Sequence, residues 1–168
     1  ARPVAEAAAV LARAAGRDVV VVPTASPVQV LAALAVHDPA RHAGDDVVAM
    51  AEAAAATRPG ELVVATEEAL TWAGRCRPGD VLALVDGEVV MIFSDIVAAA
   101  GALVERMLAA GGELVTVLLG ADAPPALAEA LSGTLPGALP ARLRREHPEV
   151  ELVVYDGGQP GPLLVGVE

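Results

Sequence analysis

The chain has 168 residues, a formal net charge of −11, one cysteine and one each of Trp, Tyr and Phe. That charge opposes association with nucleic acid or anionic lipid. The lone Cys76 excludes an intrachain disulfide and fits a reducing, cytoplasmic setting. No apolar run reaches the roughly 18–20 residues that a membrane-spanning helix needs. The length suits one domain whose core is built from Val, Leu, Ile and Ala. The chain opens directly in alanine-rich helical sequence, with no basic stretch ahead of an apolar core. It reads as a piece of something longer, with the missing part not placed by these features.

Residues 4–15 read as a helix closed by Gly16. Val19–Val22 is an uninterrupted β-branched run, the pattern of a parallel strand buried on both faces. Ser26 before Pro27 is an N-cap followed by proline at the first helical position, so a helix to Val36 should follow. A further helix runs from Asp45 or Asp46 to Thr57, and 61–66 reads as a strand. Residues 67–77 are irregular apart from Leu70 and Trp72. Asp86-Gly87 joins strands at 81–85 and 88–92, the strongest hairpin signal in the chain.

A helix from Ser94 or Asp95 to Ala110 and a strand at 113–119 come next. A helix opened by Pro124 or Pro125 reaches Leu131, and a loose segment from Gly133 to Pro140 precedes a helix at 141–147. Strands at 150–155 and 163–167 close the chain. Such alternation predicts a layered α/β/α fold with a largely parallel sheet and a small antiparallel hairpin element.

Candidate sites follow from where strands end. Ligands of open parallel sheets bind beyond the strand carboxyl ends, and helix N-termini favour anions. That singles out Thr24 and Ser26 after the first strand and Gly120 with Asp122 after a later one. Helix capping explains Ser26 and Asp122 equally directly. Asp156-Gly157-Gly158-Gln159-Pro160 is a constrained turn in which the glycines and Pro160 set the backbone. Asp156 and Gln159 either brace it or face a partner.

No nucleophile, base or metal cage emerges. His37, His42 and His147 lack ligand spacing, and Cys76 has no CxxC partner although Arg75 and Arg77 flank it. Glu67 and Glu68 read as solvated, as does the cluster Arg142, Arg144 and Arg145. Neither a P-loop nor a dinucleotide fingerprint is present.

The order of pieces is distinctive: Asp18-Val-Val-Val-Val-Pro-Thr24, Gln29-Val-Leu-Ala-Ala-Leu34 with His37-Asp-Pro39, and Leu84-Val-Asp-Gly-Glu-Val89. Glu113-Leu-Val-Thr-Val-Leu-Leu-Gly120 and Val153-Val-Tyr-Asp-Gly-Gly-Gln-Pro160 complete it. Together they resemble the C-terminal region of the bacterial fatty acid kinase catalytic-subunit family, the dihydroxyacetone-kinase-like DAK2-domain fusion proteins.

The resemblance implies a fold related to DegV-like proteins and makes residues 1–168 a single accessory domain, the C-terminal part of a longer protein and not itself catalytic. ATP and magnesium would belong to a kinase domain elsewhere in the full-length protein. The partner would be a DegV-like protein that presents fatty acid for phosphorylation, with other domains of the same chain as further contacts and a homodimer left open. Thr24, Ser26, Gln29, Asp156 and Gln159 would form the partner or ligand surface, with Gly157, Gly158 and Pro160 shaping the turn. Against the family pattern, Ala25 replaces a basic residue, Val30 a glycine, and the tail near Pro162 lacks an aromatic residue. The alternative is a small-molecule kinase or phosphatase with its site at the Thr24 and Gly120 turns.

Overall fold

A computed structural model describes residues 2–133 and 138–168. The chain divides into two compact units, Ala1–Thr57 and Arg58–Glu168.

The first unit is helical. It contains α1 (Arg2–Ala14), α2 (Pro27–Ala35) and α3 (Ala43–Ala56). Gly16, at φ 75°, ends α1 in the left-handed conformation that a residue without Cβ adopts freely. Pro27 opens α2 behind the N-cap Ser26. Helices α2 and α3 pack together through small side chains, with Val28, Ala32, Ala33 and Ala54 buried.

The connection between them is tied by one carboxylate. Asp46 is buried and accepts from His37 Nδ1 at 2.6 Å, from the Asp38 backbone N–H at 2.9 Å and from Arg41 at 3.2 Å. The Asp38 N–H, then the His37 and Arg41 side chains, hold its pKa below the ordinary 3.8, against the opposing effect of burial. A depressed carboxylate stabilises the fold above its unfolded pKa and loses that contribution as pH falls through the folded one. Helical circular dichroism should therefore show a melting midpoint that drops as pH is taken from neutral to about 3. Asp46→Asn should lower the midpoint at neutral pH and flatten this dependence.

Val19–Val22 does not form the predicted strand. Residues 17–24 are without regular structure, and no described residue pairs with them in a ladder. Arg13 caps the segment by donating to the Val19 carbonyl at 3.0 and 2.7 Å. A β-branched run signals a buried strand only where neighbouring strands exist, and this unit supplies none among its described residues.

The second unit is a six-stranded sheet with helices. Its strands are β1 (Arg58–Val64), β4 (Val81–Val85), β5 (Glu88–Phe93), β6 (Leu114–Leu119), β7 (Glu151–Asp156) and β8 (Leu163–Val167), in spatial order β5-β4-β1-β8-β6-β7. A separate short ribbon pairs β2 (Ala69–Thr71) with β3 (Gly74–Cys76). Helix α4 (Ile96–Leu108) lies against β1, β4, β5 and β8, while α5 (Pro125–Ser132) packs on α4 and α6 (Leu139–Glu146) on α5.

The core gathers Leu62, Leu103, Val104, Val115, Val117, Leu127, Leu163, Val165 and Val167. Along β1, Gly60 and Leu62 are buried while Glu61 and Val63 are not, the alternation of a strand covered on one face.

The sheet is therefore mostly antiparallel, not largely parallel as the sequence predicts. Only β6 and β7 run parallel, joined by the α5–α6 crossover. The reason lies in the last strand. β8 inserts between β1 and β6 and runs antiparallel to both, and β1, β4 and β5 form a meander. A helix between two strands guarantees a parallel pair only when those strands end up as neighbours.

Other expectations hold in detail. Asp86 (φ 52°) and Gly87 (φ 82°) form the two-residue turn between Val85 and Glu88, with both residues left-handed as a type I′ hairpin requires. Asp95 caps α4 by accepting from Ala98 N–H at 2.6 Å. Of the loose segment from Gly133 to Pro140, residues 134–137 lie outside the described residues. Gly133 closes α5 at φ 78°, and α6 begins at Leu139 rather than Ala141.

Candidate functional site

Strand register fixes which loops share one end of the sheet. Val64 pairs with Val81, Leu62 with Leu163, Leu119 with Leu163, and Leu119 with Asp156. The carboxyl ends of β1, β6 and β7 and the starts of β4 and β8 therefore lie together. This end carries the Gly120–Asp122 turn, the 157–162 loop and the β2–β3 hairpin.

The 157–162 loop is seated on the end of β6 by a dense set of bonds. Gly157 and Gly158 N–H donate to the Leu119 carbonyl at 2.8 and 3.1 Å. Ala121 N–H donates to Gln159 O at 2.8 Å, and Gly120 N–H to Pro162 O at 3.1 Å. The Gln159 side chain folds beneath, its Nε2 donating to Leu118 O at 3.0 Å and its Oε1 buried without a partner among the described residues. Asp122 Oδ2 accepts from Gly161 N–H at 2.8 Å.

Gly158 (φ 65°) and Gly161 (φ 87°) supply the left-handed turns. Gly120 has a different role. A Cβ there would collide with the Gly161 carbonyl and stand 2.8 Å from the Gln159 carbonyl.

The sequence candidates thus separate. Gly120, Asp122, Asp156 and Gln159 share the sheet end, whereas Thr24, Ser26 and Gln29 belong to the helical unit. Asp122 does not cap the helix after Pro124. It clamps the neighbouring loop, a contact between residues 39 apart that local spacing does not reveal. Gln159 braces the turn. The Asp156 carboxylate is exposed and takes no hydrogen bond among the described residues, which leaves it available to a visitor.

Within the helical unit, Gln29 Oε1 accepts from Ala25 N–H at 2.7 Å and Ser26 N–H at 3.3 Å, and its Nε2 donates to Thr57 O at 3.1 Å. The amide ties the start of α2 to the end of α3. The Ser26 hydroxyl is buried, and Thr24 is half-buried.

The three histidines also have structural partners. His37 serves Asp46, His42 Nδ1 accepts from Gly44 N–H at 3.3 Å at the start of α3, and His147 lies 3.5 Å from Glu149. Cys76 is buried, its Sγ 3.9 Å from the Glu67 carbonyl. Arg142 crosses α4 at Gly101 to pair with Glu105 at 2.8 Å, so only part of the basic cluster is a solvated helix end. Among the described residues no group of three or more His, Cys, Asp or Glu side chains is placed to hold a metal ion. No helix among them is long and apolar enough to cross a membrane. A cleft of about 60 Å³ between α4, α5 and α6 is lined by Ala100, Leu127, Leu131 and Leu139, among others. It is far smaller than the roughly 300–1,000 Å³ of small-molecule sites.

Sequence reasoning missed the β2–β3 hairpin. Thr71 Oγ donates to Gly74 O at 2.8 Å and accepts from Ala73 N–H at 3.2 Å, which tightens the tip around Trp72. Gly79 N–H to Ala65 O and Ala65 N–H to Asp80 O, both at 2.8 Å, close the base. The available signal was an aromatic residue set between Thr71 and Gly74, with no periodic segment for it to belong to.

With this geometry in place, comparison with known proteins is decisive at the family level. The model of the FakA-like C-terminal family of fatty acid kinase proteins matches residues 2–168. The chain belongs to that family. Similar curated proteins include the uncharacterized proteins SAUSA300_1119 and SAOUHSC_01193 of Staphylococcus aureus strains USA300 and NCTC 8325, and SAB1090 of the bovine strain RF122. Each is 26% identical over 143 residues, covering 85% of this chain and 25% of the relative. The chain thus spans about a quarter of the length of the curated relatives it matches.

Proposed function

We propose that this chain is the partner-recognition and regulatory domain of a fatty-acid-kinase-like protein and contributes no catalytic group. In this reading a separate kinase domain of the same polypeptide uses ATP and magnesium, and a DegV-like protein presents the fatty acid whose carboxylate becomes an acyl phosphate. The observation that carries the reading is the family match across residues 2–168. The placement of the titratable groups supports it. His37, His42, Asp46 and Asp122 are engaged in holding loops and helices, as is the Gln159 amide, and among the described residues no group of three or more His, Cys, Asp or Glu is placed to hold a metal ion.

The same placement speaks against a phosphate-handling site at the Thr24 and Gly120 turns. The space above Gly120 is filled by the backbone of the 157–162 loop. Polar recognition falls on Asp156 in the sheet unit, and Thr24 is a separate candidate contact of the helical unit. Gln159 and Gln29 act by shaping the surfaces around them.

The test is acyl-phosphate formation by the full-length protein with its fatty-acid-loaded DegV-like partner. Deleting the region that matches this chain should abolish turnover on partner-bound fatty acid while leaving ATP binding intact. Retained turnover would refute the reading, as would loss of ATP binding by a protein that remains folded.

A further inference from the structure

We propose that the β2–β3 hairpin is a docking finger whose Trp72 enters an apolar pocket, rimmed by lysine and arginine side chains, on a protein partner. The inference rests on the partner-recognition reading above and adds the anchor and the chemistry of the surface that receives it.

Trp72 is 94% exposed and Leu70, two residues earlier, 81%. Leaving two large apolar side chains in water forfeits the burial that stabilises a fold, so neither serves the core of this unit. All the exposed large apolar side chains described in the sheet unit belong to one end of the sheet, spread along it from β1 to β7. Val63 and Val64 end β1, Leu70 and Trp72 form the hairpin, and Tyr155 lies one residue from the end of β7. Register puts Val63, Val64 and Tyr155 at the end of the sheet that carries the 157–162 loop, and the β1–β4 connection brings Leu70 and Trp72 to the same end.

The finger is held in shape before any partner arrives. Thr71 locks the tip, the Ala65 bonds close the base, and Cys76 is anchored in the interior at 1% exposure. A preformed aromatic anchor loses little conformational freedom on docking, which is why tryptophan dominates the energetics of many interfaces.

Charge selects the occupant. Exposed acids at this end include Glu67, Glu68, Asp122 and Asp156. The cations among the described residues of this unit at this end are Arg75, paired with Glu68, and Arg77. An anionic bilayer would be repelled by this rim. A second copy docking through the same face would set like charges against each other. A protein pocket surrounded by cationic side chains satisfies both the apolar centre and the acidic edge.

The experiment uses the full-length protein, with the fatty-acid-loaded DegV-like protein as probe, and measures affinity by calorimetry. Trp72→Ala should weaken binding about thirtyfold, the loss typical of an interface hot spot, and Trp72→Phe should recover much of it. Because the side chain is exposed, neither variant should shift the thermal midpoint. Raising salt should weaken the wild-type complex, as a cationic rim requires. Wild-type affinity in Trp72→Ala would overturn the docking finger while leaving the partner-recognition reading intact. No binding by the wild type would overturn that reading itself. Binding indifferent to salt would remove the cationic rim. Trp72-dependent binding to phosphatidylglycerol vesicles, or self-association abolished by Trp72→Ala, would overturn the choice of occupant.

Discussion

Gly120→Ala is expected to destabilise the sheet unit by about 2–4 kcal/mol, a large effect for the addition of one methyl group. The new Cβ would meet two backbone carbonyls, those of Gly161 and Gln159. Backbone cannot swing aside as a side chain can. Relief would require the 157–162 loop to lift, breaking the bonds from Gly120 N–H to Pro162 O and from Ala121 N–H to Gln159 O. The Asp122 clamp on Gly161 would be lost with them. Gly158→Ala is the informative contrast. Its φ of 65° disfavours a side chain, but no atom lies within 4 Å of the added carbon, so the cost should stay near 1 kcal/mol. Urea unfolding of both variants measures the difference. Equal stability of Gly120→Ala and the parent would contradict the seating of the loop on the β6 turn.

Leu103→Ala should cost about 2–5 kcal/mol, toward the upper part of that range. Leu103 is fully buried on α4, the helix that covers β1, β4, β5 and β8. Ala99 and Ala100, buried one turn before it on α4, carry side chains too short to refill the space. Alanine has no rotamers with which to reach across a cavity, so that side of it collapses poorly. The expected signature is a lower urea midpoint with an unchanged slope, since the surface exposed on unfolding is nearly the same. A loss below about 1 kcal/mol would mean that α4 shifts to close the gap.

Much of this fold can be read locally. Asp86-Gly87 announces its hairpin because both residues tolerate positive φ, and Ser26-Pro27 announces a helix start because of what each does to the backbone. Strand order is a different matter. The apolar runs at 61–66, 113–119 and 163–167 predict strands, yet nothing within them states that β8 lies between β1 and β6 and reverses the sense of the sheet. Val19–Val22 has the composition of a buried strand and lacks neighbours in its unit among the described residues, so pattern and outcome part company there.

The candidate site divides along the same line. Gln159 as a brace follows from turn chemistry, while Asp122 gripping Gly161 and the closeness of Gly120 to Gly161 depend on β6 and β8 being adjacent. Trp72 was visible as an aromatic residue outside any periodic segment. Its near-complete exposure follows from its place at the tip of the β2–β3 hairpin, which the sequence pattern does not announce.

We propose that this chain recognises a protein partner and takes no part in nucleotide chemistry. Calorimetric titration of the full-length protein with a fatty-acid-loaded DegV-like protein decides it, repeated with a version lacking the region equivalent to this chain. The expected result is saturable heat from the intact protein, none from the truncated one, and the same magnesium–ATP isotherm for both. Partner binding that survives truncation, or an ATP isotherm that disappears with this region, would contradict the claim.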